Sequence, residues 1–174
     1  ITIGLILGYY QHLDKLTEGL IDFFRSIPGI AVFPLFILFF GINDISRIMV
    51  SLFIGVPIIL LNTKYGIKNS RDHRREMGKL YGLKNSDLFA KIIFPEALPY
   101  IFTGMRISIA LIIILIIVTE MMVGAEYGLG QMIVTSQYQF ETAKMLSVIF
   151  ILGLIGSGIN SLFLHIEKSV FHWR

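Results

Sequence analysis

The sequence predicts an all-α polytopic membrane protein. Of its 174 residues, 55% are hydrophobic and 16% are charged, whereas soluble domains usually contain about 45–50% apolar and about 25% charged residues. The apolar residues are gathered into long uncharged runs, which is typical of a chain that spans a bilayer. The chain contains no cysteine, so a disulfide framework, a thiolate metal site and a cysteine nucleophile are excluded.

Two runs are long enough to cross a bilayer as single helices. A hydrocarbon core about 30 Å thick needs about 20 apolar residues, because each helical residue rises about 1.5 Å. Residues 145–164 form a charge-free run of this length, and residues 107–125 are nearly as long. Two shorter runs that contain proline, 27–42 and 48–61, are joined by a brief polar link. Beside two clear spans, this pair is best interpreted as two antiparallel spans.

These runs predict one transmembrane domain over residues 1–174. Residues 1–10 are too short to cross and are interpreted as the tail of a span that begins upstream. Residues 11–26 place apolar side chains at helical spacing among charged ones, which predicts an interfacial amphipathic helix or a helical hairpin connection. Lys64 would extend its span by reaching to the membrane surface. The expected spans are about 1–10 (partial), 27–42, 46–66, 100–125 and 144–165, with a loop at about 67–99.

The basic residues predict the orientation of these spans. Eight of the fifteen lysines and arginines lie between residues 62 and 99, whereas residues 126–144 contain a single one. Short loops rich in lysine and arginine stay in the cytoplasm. We therefore expect loop 67–99 and the C-terminus to be cytoplasmic in a multi-pass protein of the cell membrane. A nucleic-acid patch is the alternative, but a loop held between two spans makes it unfavourable.

The cytoplasmic loop predicts two short helices. Ser70 is suited to cap a first helix that runs to Tyr81, and Gly82 is suited to its left-handed C-terminal stop. Residues 85–87 offer the N-cap of a second, amphipathic helix, which Pro95 would end. Its predicted apolar stripe consists of Leu88, Phe89, Ile92 and Ile93. Such a protrusion would fit a groove on a partner protein.

The same loop resembles the cytoplasmic signature of binding-protein-dependent ABC importer permeases. That signature places Glu-Ala-Ala, a glycine and Ile-x-Leu-Pro at fixed spacing. Here Met77 and Gly78 stand in place of the two alanines, and Phe94 stands in place of leucine. The resemblance implies that the loop couples the membrane domain to an ATPase. The residues that it singles out are Glu76, Gly78, Gly82, Asp87, Phe89, Ile92 and Pro95.

Further segments are similar to the nitrate, sulfonate and taurine branch of these permeases. They are Ser26-Ile27-Pro28, Phe33-Pro34-Leu35, Phe40-Gly41, Thr103-Gly104-Met105-Arg106, Glu120-Met121 and Gly128-Leu129-Gly130. The resemblance implies an ABC importer transmembrane-domain fold, incomplete at its N-terminus, with a cytoplasmic coupling helix. It implies two ATPase subunits, a second permease copy and an extracytoplasmic solute-binding protein as partners, in a lipid membrane. The implied solutes are nitrate, an alkanesulfonate, taurine or a vitamin precursor.

Two features inside the spans are further candidates. Glu120 is the one carboxylate well inside a span, where a charge costs about 2.5–3.5 kcal/mol on insertion scales. Glu120 has two possible roles: it lines the pore or a gate, or it makes a buried hydrogen bond between helices. We favour the hydrogen bond. Small residues at four-residue spacing let membrane helices approach closely. Such a helix-packing face is predicted at Gly153, Gly156, Ser157 and Ser161.

Other classes of membrane protein fit the sequence less well. An intramembrane enzyme would need a nucleophile with a base, or paired aspartates, facing inward. A gated channel would need a filter loop, for which Gly128-Leu129-Gly130 alone is a weak signal. The four histidines form no ligand cluster, so no metal site and no cofactor are predicted. The sequence shows no catalytic site, and the resemblance implies a transport subunit whose ATP hydrolysis is performed by a partner.

Overall fold

The structure is a computed structural model that describes residues 1–123 and 127–171. Within these ranges, the side chains of residues 11, 70–75, 79 and 80 are outside the description. All regular elements of the described residues are helices. They are α1 (Thr2–Tyr9), α2 (Gln11–Ser26), α3 (Gly29–Phe40), α4 (Asp44–Leu80), α5 (Asn85–Leu88), a π-helical segment (Phe89–Ile93), α6 (Phe94–Val123), α7 (Leu129–Tyr138) and α8 (Thr142–Val170).

Three stretches of the described chain are long and apolar enough to cross a membrane. They are Asp44–Asn69, Asn85–Val123 and Thr142–Val170, and they contain most of the predicted spans 46–66, 100–125 and 144–165. A fourth qualifies only if His12–Ser26 and Gly29–Phe40 count as one broken span. The described chain therefore contains several helices that are long and apolar enough to span a bilayer, as the composition predicts.

The predicted span at 27–42 is shorter in the structure. Helix α3 has 12 residues, which is about 18 Å of helix and less than the thickness of a bilayer core. Pro28, in an extended conformation, immediately precedes the helix, and Gly41 ends it with a φ of 80°. The apolar run therefore overestimates the helix, because the backbone leaves helical geometry at both ends.

The chain divides into two compact units. The first unit comprises Ile1–Ser26, Val56–Ser108 and the end of the chain from Val170, and the second comprises Ile27–Gly55 and Ile109–Ser169. In the first unit, a buried cluster joins Ile67 of α4 to Leu88, Ile93, Ala97 and Ile101. In the second, Phe33, Val50 and Leu115 form the buried cluster.

Glycines allow the helices of the first unit to approach residues 60–67 of α4 closely. At four of them, an added Cβ would lie 2.6–2.9 Å from the nearest side-chain atom of a neighbouring helix, which is closer than packed atoms tolerate. Gly4 and Gly8 bring α1 onto α4, while Gly66 and Gly104 bring α4 and α6 together. The atoms opposite them belong to Thr63, Ile67, Tyr100 and Asn62 respectively. No side chain larger than hydrogen fits at these four positions without rearrangement.

Hydrogen bonds of the polar link at 43–47 fix the turn in the second unit. Asn43 accepts a hydrogen bond from the backbone N–H of Ser46 at 3.2 Å and donates to the carbonyl of Phe40 at 2.6 Å. The buried Ser46 hydroxyl donates to the carbonyl of Phe36 at 3.3 Å and to that of Gly41. Asn43 thus caps α4, as its residue type favours, and the link is an ordered turn between α3 and α4.

We predict opposite effects for the same substitution at two helical glycines. Gly104→Ala adds a methyl group against Asn62 and should lower the stability by about 1–3 kcal/mol. Gly158→Ala, in α8, meets nothing within 4 Å and should be neutral or slightly stabilising, because alanine favours helix more than glycine does. Thermal unfolding of the full-length protein in detergent measures both. Equal melting temperatures for the two variants would contradict the packing described for α4 and α6.

Candidate functional site

The loop that resembles the permease signature is built on two continuous helices. Helix α4 runs from the membrane-spanning stretch through Ser70 to Leu80 without a break, so the prediction that Ser70 starts a separate helix is wrong. The Ser70 side chain itself lies outside the described residues. After the turn, the chain is helical from Asn85 to Val123, with Lys84 in an extended conformation before it and no side-chain cap. The predicted capping by residues 85–87 is therefore wrong as well.

Pro95 does not end the second helix, contrary to the prediction. A proline ring clashes with the carbonyl four residues earlier in an α-helix and removes one hydrogen bond. Here the preceding segment Phe89–Ile93 is π-helical, and the N–H of Phe94 bonds to the carbonyl of Phe89, five residues earlier. The wider π turn accommodates the ring, so the helix passes through Pro95 and through Pro99 into the span. The amphipathic segment and the span form one continuous helix.

The turn between the two helices has the geometry that the sequence predicts. Gly82 has a φ of 71°, which confirms the left-handed stop expected there. The N–H of Leu83 donates to the carbonyl of Gly78 at 3.0 Å, which is the long hydrogen bond of a Schellman cap. An added Cβ at Gly82 would meet nothing within 4 Å. Glycine is therefore favoured here by backbone conformation and not by the packing of this chain.

The four residues of the predicted apolar stripe pack in the buried cluster of the first unit. Leu88 and Ile93 are fully buried, and half-buried Phe89 and Ile92 pack against the same cluster. The Phe89 ring meets the Tyr9 ring edge to face at 5.6 Å. Gly78 contributes from α4, since an added Cβ there would overlap the side chain of Leu88. The stripe therefore anchors the loop to this chain and leaves other residues for a partner.

The exposed residues of the loop gather around the turn. The Tyr81 side chain is 81% exposed and Met77 is 55% exposed, and Glu76, Gly82 and residues 84–86 are also exposed. We call Glu76, Met77, Tyr81, Gly82 and residues 84–86 the loop tip. Asp87 pairs with Lys91 at 3.1 Å in an exposed position, and such a pair contributes little stability. Of the seven signature residues, Glu76 and Gly82 lie on the tip, whereas Gly78, Phe89 and Ile92 pack in the first unit. Pro95 lies within the continuous helix that follows.

Glu120 joins the end of α6 to the start of α7. Its Oε2 accepts a hydrogen bond from the N–H of Gly130 at 2.8 Å. An added Cβ at Gly128 would lie 2.5–2.8 Å from the carboxyl group, so the two glycines provide the space that the carboxyl group occupies. The first N–H groups of a helix have no partner within the helix and favour a negative charge. The geometry fits the hydrogen bond between helices that we favour for this residue.

The same carboxylate also borders an open cleft in the second unit. The cleft has a volume of about 420 Å³ and is lined by Asp44, Arg47, Ile48, Ser51, Leu52, Ile112, Ile116 and Glu120. The walls of the cleft are largely apolar. The positive charge of Arg47 is partly neutralised, because its guanidinium group donates a hydrogen bond to Asp44 at 2.8 Å. Glu120 thus combines a structural hydrogen bond with a position at a solvent-accessible surface.

Lys64 occupies a site that the sequence does not predict. Its side chain is 6% exposed and pairs with Asp14 of α2, whose side chain is also largely buried. The prediction that Lys64 reaches out to the membrane surface is therefore wrong. The physical reason is a carboxylate within reach, which lets the ammonium group remain inside. The one sequence signal was a charged residue close to the end of an apolar run.

The small residues of α8 face no other part of the described chain. An added Cβ at Gly153 or Gly156 would meet nothing within 4 Å, and Ser157 and Ser161 are exposed. Their role in helix packing stays a prediction. Among the described residues, no three histidine, aspartate or glutamate side chains come together as a metal ion would require.

Comparison with known proteins identifies the family of this chain. The family described as binding-protein-dependent transport system inner membrane component matches residues 1–172. The chain belongs to this family. It is 32% identical to a putative ABC transporter permease protein of Methanocaldococcus jannaschii, covering 100% of this chain and 65% of the relative. The permease family predicted from the loop signature is thereby confirmed.

Two further relatives are named for the solutes of their transport systems. The putative aliphatic sulfonates transport permease protein SsuC of Bacillus subtilis is 28% identical over 99% of this chain and 62% of its own length. The bicarbonate transport system permease protein CmpB of Synechocystis is 29% identical over 98% of this chain and 61% of its own length. The chain thus spans somewhat less than two thirds of the length of these three relatives.

A solved structure confirms the fold class. The chain resembles one from inward-facing conformations of the MetNI methionine ABC transporter, with a TM-score of 0.74 and 21% sequence identity. The match covers 97% of this chain and 84% of that chain. At this identity the likeness concerns the fold, which is that of an ABC importer transmembrane domain.

We predict that Glu120 depends on its acceptor atom more than on its charge. Glu120→Gln retains an oxygen that can accept from Gly130 and should change the stability little. Glu120→Ala leaves that N–H without its partner and should cost about 1–3 kcal/mol. Thermal unfolding in detergent distinguishes the two. If Glu120→Gln were destabilised as much as Glu120→Ala, the charge itself would be the stabilising feature.

Proposed function

We propose that this chain is part of the transmembrane permease subunit of an ATP-driven ABC importer and that its loop tip receives the motion of the ATPase. The observation that carries the proposal is the division of the signature residues into anchors and an exposed tip. A loop whose apolar side chains are buried in its own chain does not need a partner for stability. Its exposed Tyr81 and Met77 therefore remain available as contacts, and large side chains of this kind are favoured at interfaces.

The helix that follows the tip offers a direct route into the membrane. The chain is helical without interruption from Asn85 into the span that ends at Val123. Leu88 and Ile93 fix its first part in the core of the first unit. A displacement imposed on the tip is consequently passed to α6 as the movement of a rigid element. The segment after the tip is therefore continuous with the span, and is not the separate short helix, ended by Pro95, that the sequence predicted.

The proposed solutes come from the resemblance of the sequence, and one of them, an alkanesulfonate, also matches the name of a relative. One of the relatives is named for aliphatic sulfonates and another for bicarbonate, and both names refer to small anions. We propose an alkanesulfonate, taurine or nitrate as the solute, with a vitamin precursor as the remaining option from the resemblance. Uptake of these compounds by vesicles that carry the complete transporter would decide among them.

The proposed partners are two ATPase subunits, a second permease copy and an extracytoplasmic solute-binding protein. The exposed small residues of α8 support a second copy, because small residues let membrane helices associate closely. Gly156→Leu should then weaken assembly, and a variant that assembled like the unaltered protein would contradict this placement.

For Glu120 we propose helix packing as the main role, with Glu120→Gln retaining most uptake. Loss of uptake in a normally inserted Glu120→Gln would favour a gate.

We predict that Gly82→Asp separates the permease from its ATPase. The side chain meets nothing in this chain within 4 Å, and aspartate tolerates positive φ better than most residues. The protein should therefore insert normally but neither retain the ATPase in a pull-down nor support uptake.

Gly19→Asp is the matched control for this substitution. Gly19 lies on α2, also in open space, and the same charge there should leave ATPase binding and uptake unchanged. Gly82→Asp with ATPase binding and uptake at the level of the unaltered protein would contradict the proposed role of the loop tip.

We predict that the loop tip faces the cytoplasm. The chain has no cysteine, so single cysteines can be placed at two exposed positions, Asn69 and Gln137. Because the basic loop is expected to stay inside, Asn69→Cys should react with an impermeant thiol reagent only from the cytoplasmic side. Gln137→Cys should react only from the outside. Labelling with the two sides exchanged would contradict the orientation.

A further inference from the structure

A buried ion pair connects two helices of the first unit. The ammonium group of Lys64, on α4, contacts Oδ1 of Asp14, on α2, and their side chains are 6% and 12% exposed. A second carboxylate, that of Glu18, lies 3.9 Å from the same ammonium group but is 60% exposed. Lysine and aspartate are rarely buried unless they are paired. Two acidic residues one turn apart on α2 therefore face one base on α4.

Helix α1 meets α4 at the same place. An added Cβ at Gly8 would lie 2.7 Å from the Cβ of Ile67 and 3.2 Å from the carbonyl oxygen of Lys64. Only Tyr10 separates α1 from α2, so the two helices cannot move far apart. Gly8 and Asp14 thus hold the start of the chain against the same part of α4, one by close packing and the other by charge.

The rest of the α2 surface does not fix the position of α2 along α4 by itself. Three apolar side chains on α2 are 58–79% exposed, and they are Leu16, Leu20 and Phe23. An apolar face of this kind is suited to the membrane interface and can slide along it. A buried charge without its partner is costly, whereas the paired charges are stable only at matching positions. The ion pair therefore favours one position of α2 along α4.

We propose that the Asp14–Lys64 pair is a positioning contact that makes α2 move together with the helix that carries the loop tip. Helix α4 continues from Lys64 to Leu80, and Gly78 near its end packs against Leu88. Motion of the tip then displaces α2 along with α4. Without the pair, only the link through Tyr10 and the packing of α1 connect α2 to α4, so α2 follows the motion of α4 less closely. This inference rests on the proposed function and adds residues outside the signature to the coupling path.

The test uses the full-length permease, assembled with its ATPase in membrane vesicles, and measures solute taken up per ATP hydrolysed. Asp14→Asn and Lys64→Met should each lower this ratio by about tenfold or more. Lys64→Met leaves the buried Asp14 carboxylate without its base, and Asp14→Asn leaves Lys64 only the exposed Glu18 carboxylate at 3.9 Å. ATPase retention in a pull-down should stay normal. The exchange of charges, Asp14→Lys with Lys64→Asp, should restore most of the ratio. Asp22→Asn is the matched control, because Asp22 pairs with Arg25 in an exposed position on the same helix.

A further variant separates positioning from stability. Asp14→Leu with Lys64→Met removes both charges, and replacement of a buried ion pair by apolar residues commonly preserves folding. Its melting temperature should stay near that of the unaltered protein while its ratio of uptake to hydrolysis falls. An unchanged ratio in this double variant, or in both single variants, would overturn the proposal. If the unaltered protein showed no uptake dependent on ATPase, the proposed function would fail instead, which is a different outcome.

Discussion

The close approach of neighbouring helices to residues 60–67 of α4 is the constraint on which the first unit depends. Four positions in these contacts are glycines, which have no side chain to keep α1, α4 and α6 apart. An added Cβ at any of them would lie 2.6–2.9 Å from the nearest side-chain atom of a neighbouring helix. Inside a membrane, helices gain little from hydrophobic burial against each other, and their association relies on such close packing. The buried Lys64 lies in the same stretch of α4. Packing and charge therefore act on one segment, from which α4 continues to the loop tip.

The loop tip can be exposed because its apolar residues are used internally. Leu88 and Ile93 are buried in the first unit, and the π-helical turn lets the helix pass Pro95 without a break. A surface that receives motion from a partner must keep its own shape when pushed, and burial of the stripe provides this rigidity. Under the proposed function, the signature residues meet two requirements, for a contact surface and for a rigid connection. The structure shows which of them are buried and which are exposed.

The sequence predicted the features that depend on local chemistry. Gly82 was expected to have positive φ because few other residues adopt it readily, and the spans followed from the length of apolar runs. The features that depend on contacts between distant residues were missed or misplaced. Lys64 was assigned to the membrane surface because its partner, Asp14, lies fifty residues earlier. The close contacts at glycines 4, 8, 66 and 104 were not predicted, and the packing expected at Gly153 and Gly156 of α8 stays a prediction. Pro95 was expected to end a helix because a π-helical turn has no recognised signal in the sequence.

Photocrosslinking from the loop tip tests the central claim most directly, because it detects contact without altering the anchors. A photoreactive phenylalanine analogue in place of Tyr81, which is 81% exposed, should capture the ATPase subunit in assembled, transporting complexes. The same analogue in place of Tyr65, which is 57% exposed on the spanning part of α4, should not. Capture from Tyr81 but not from Tyr65 is the predicted result. Absence of capture at Tyr81 in complexes that still transport, or equal capture at both positions, would contradict the account.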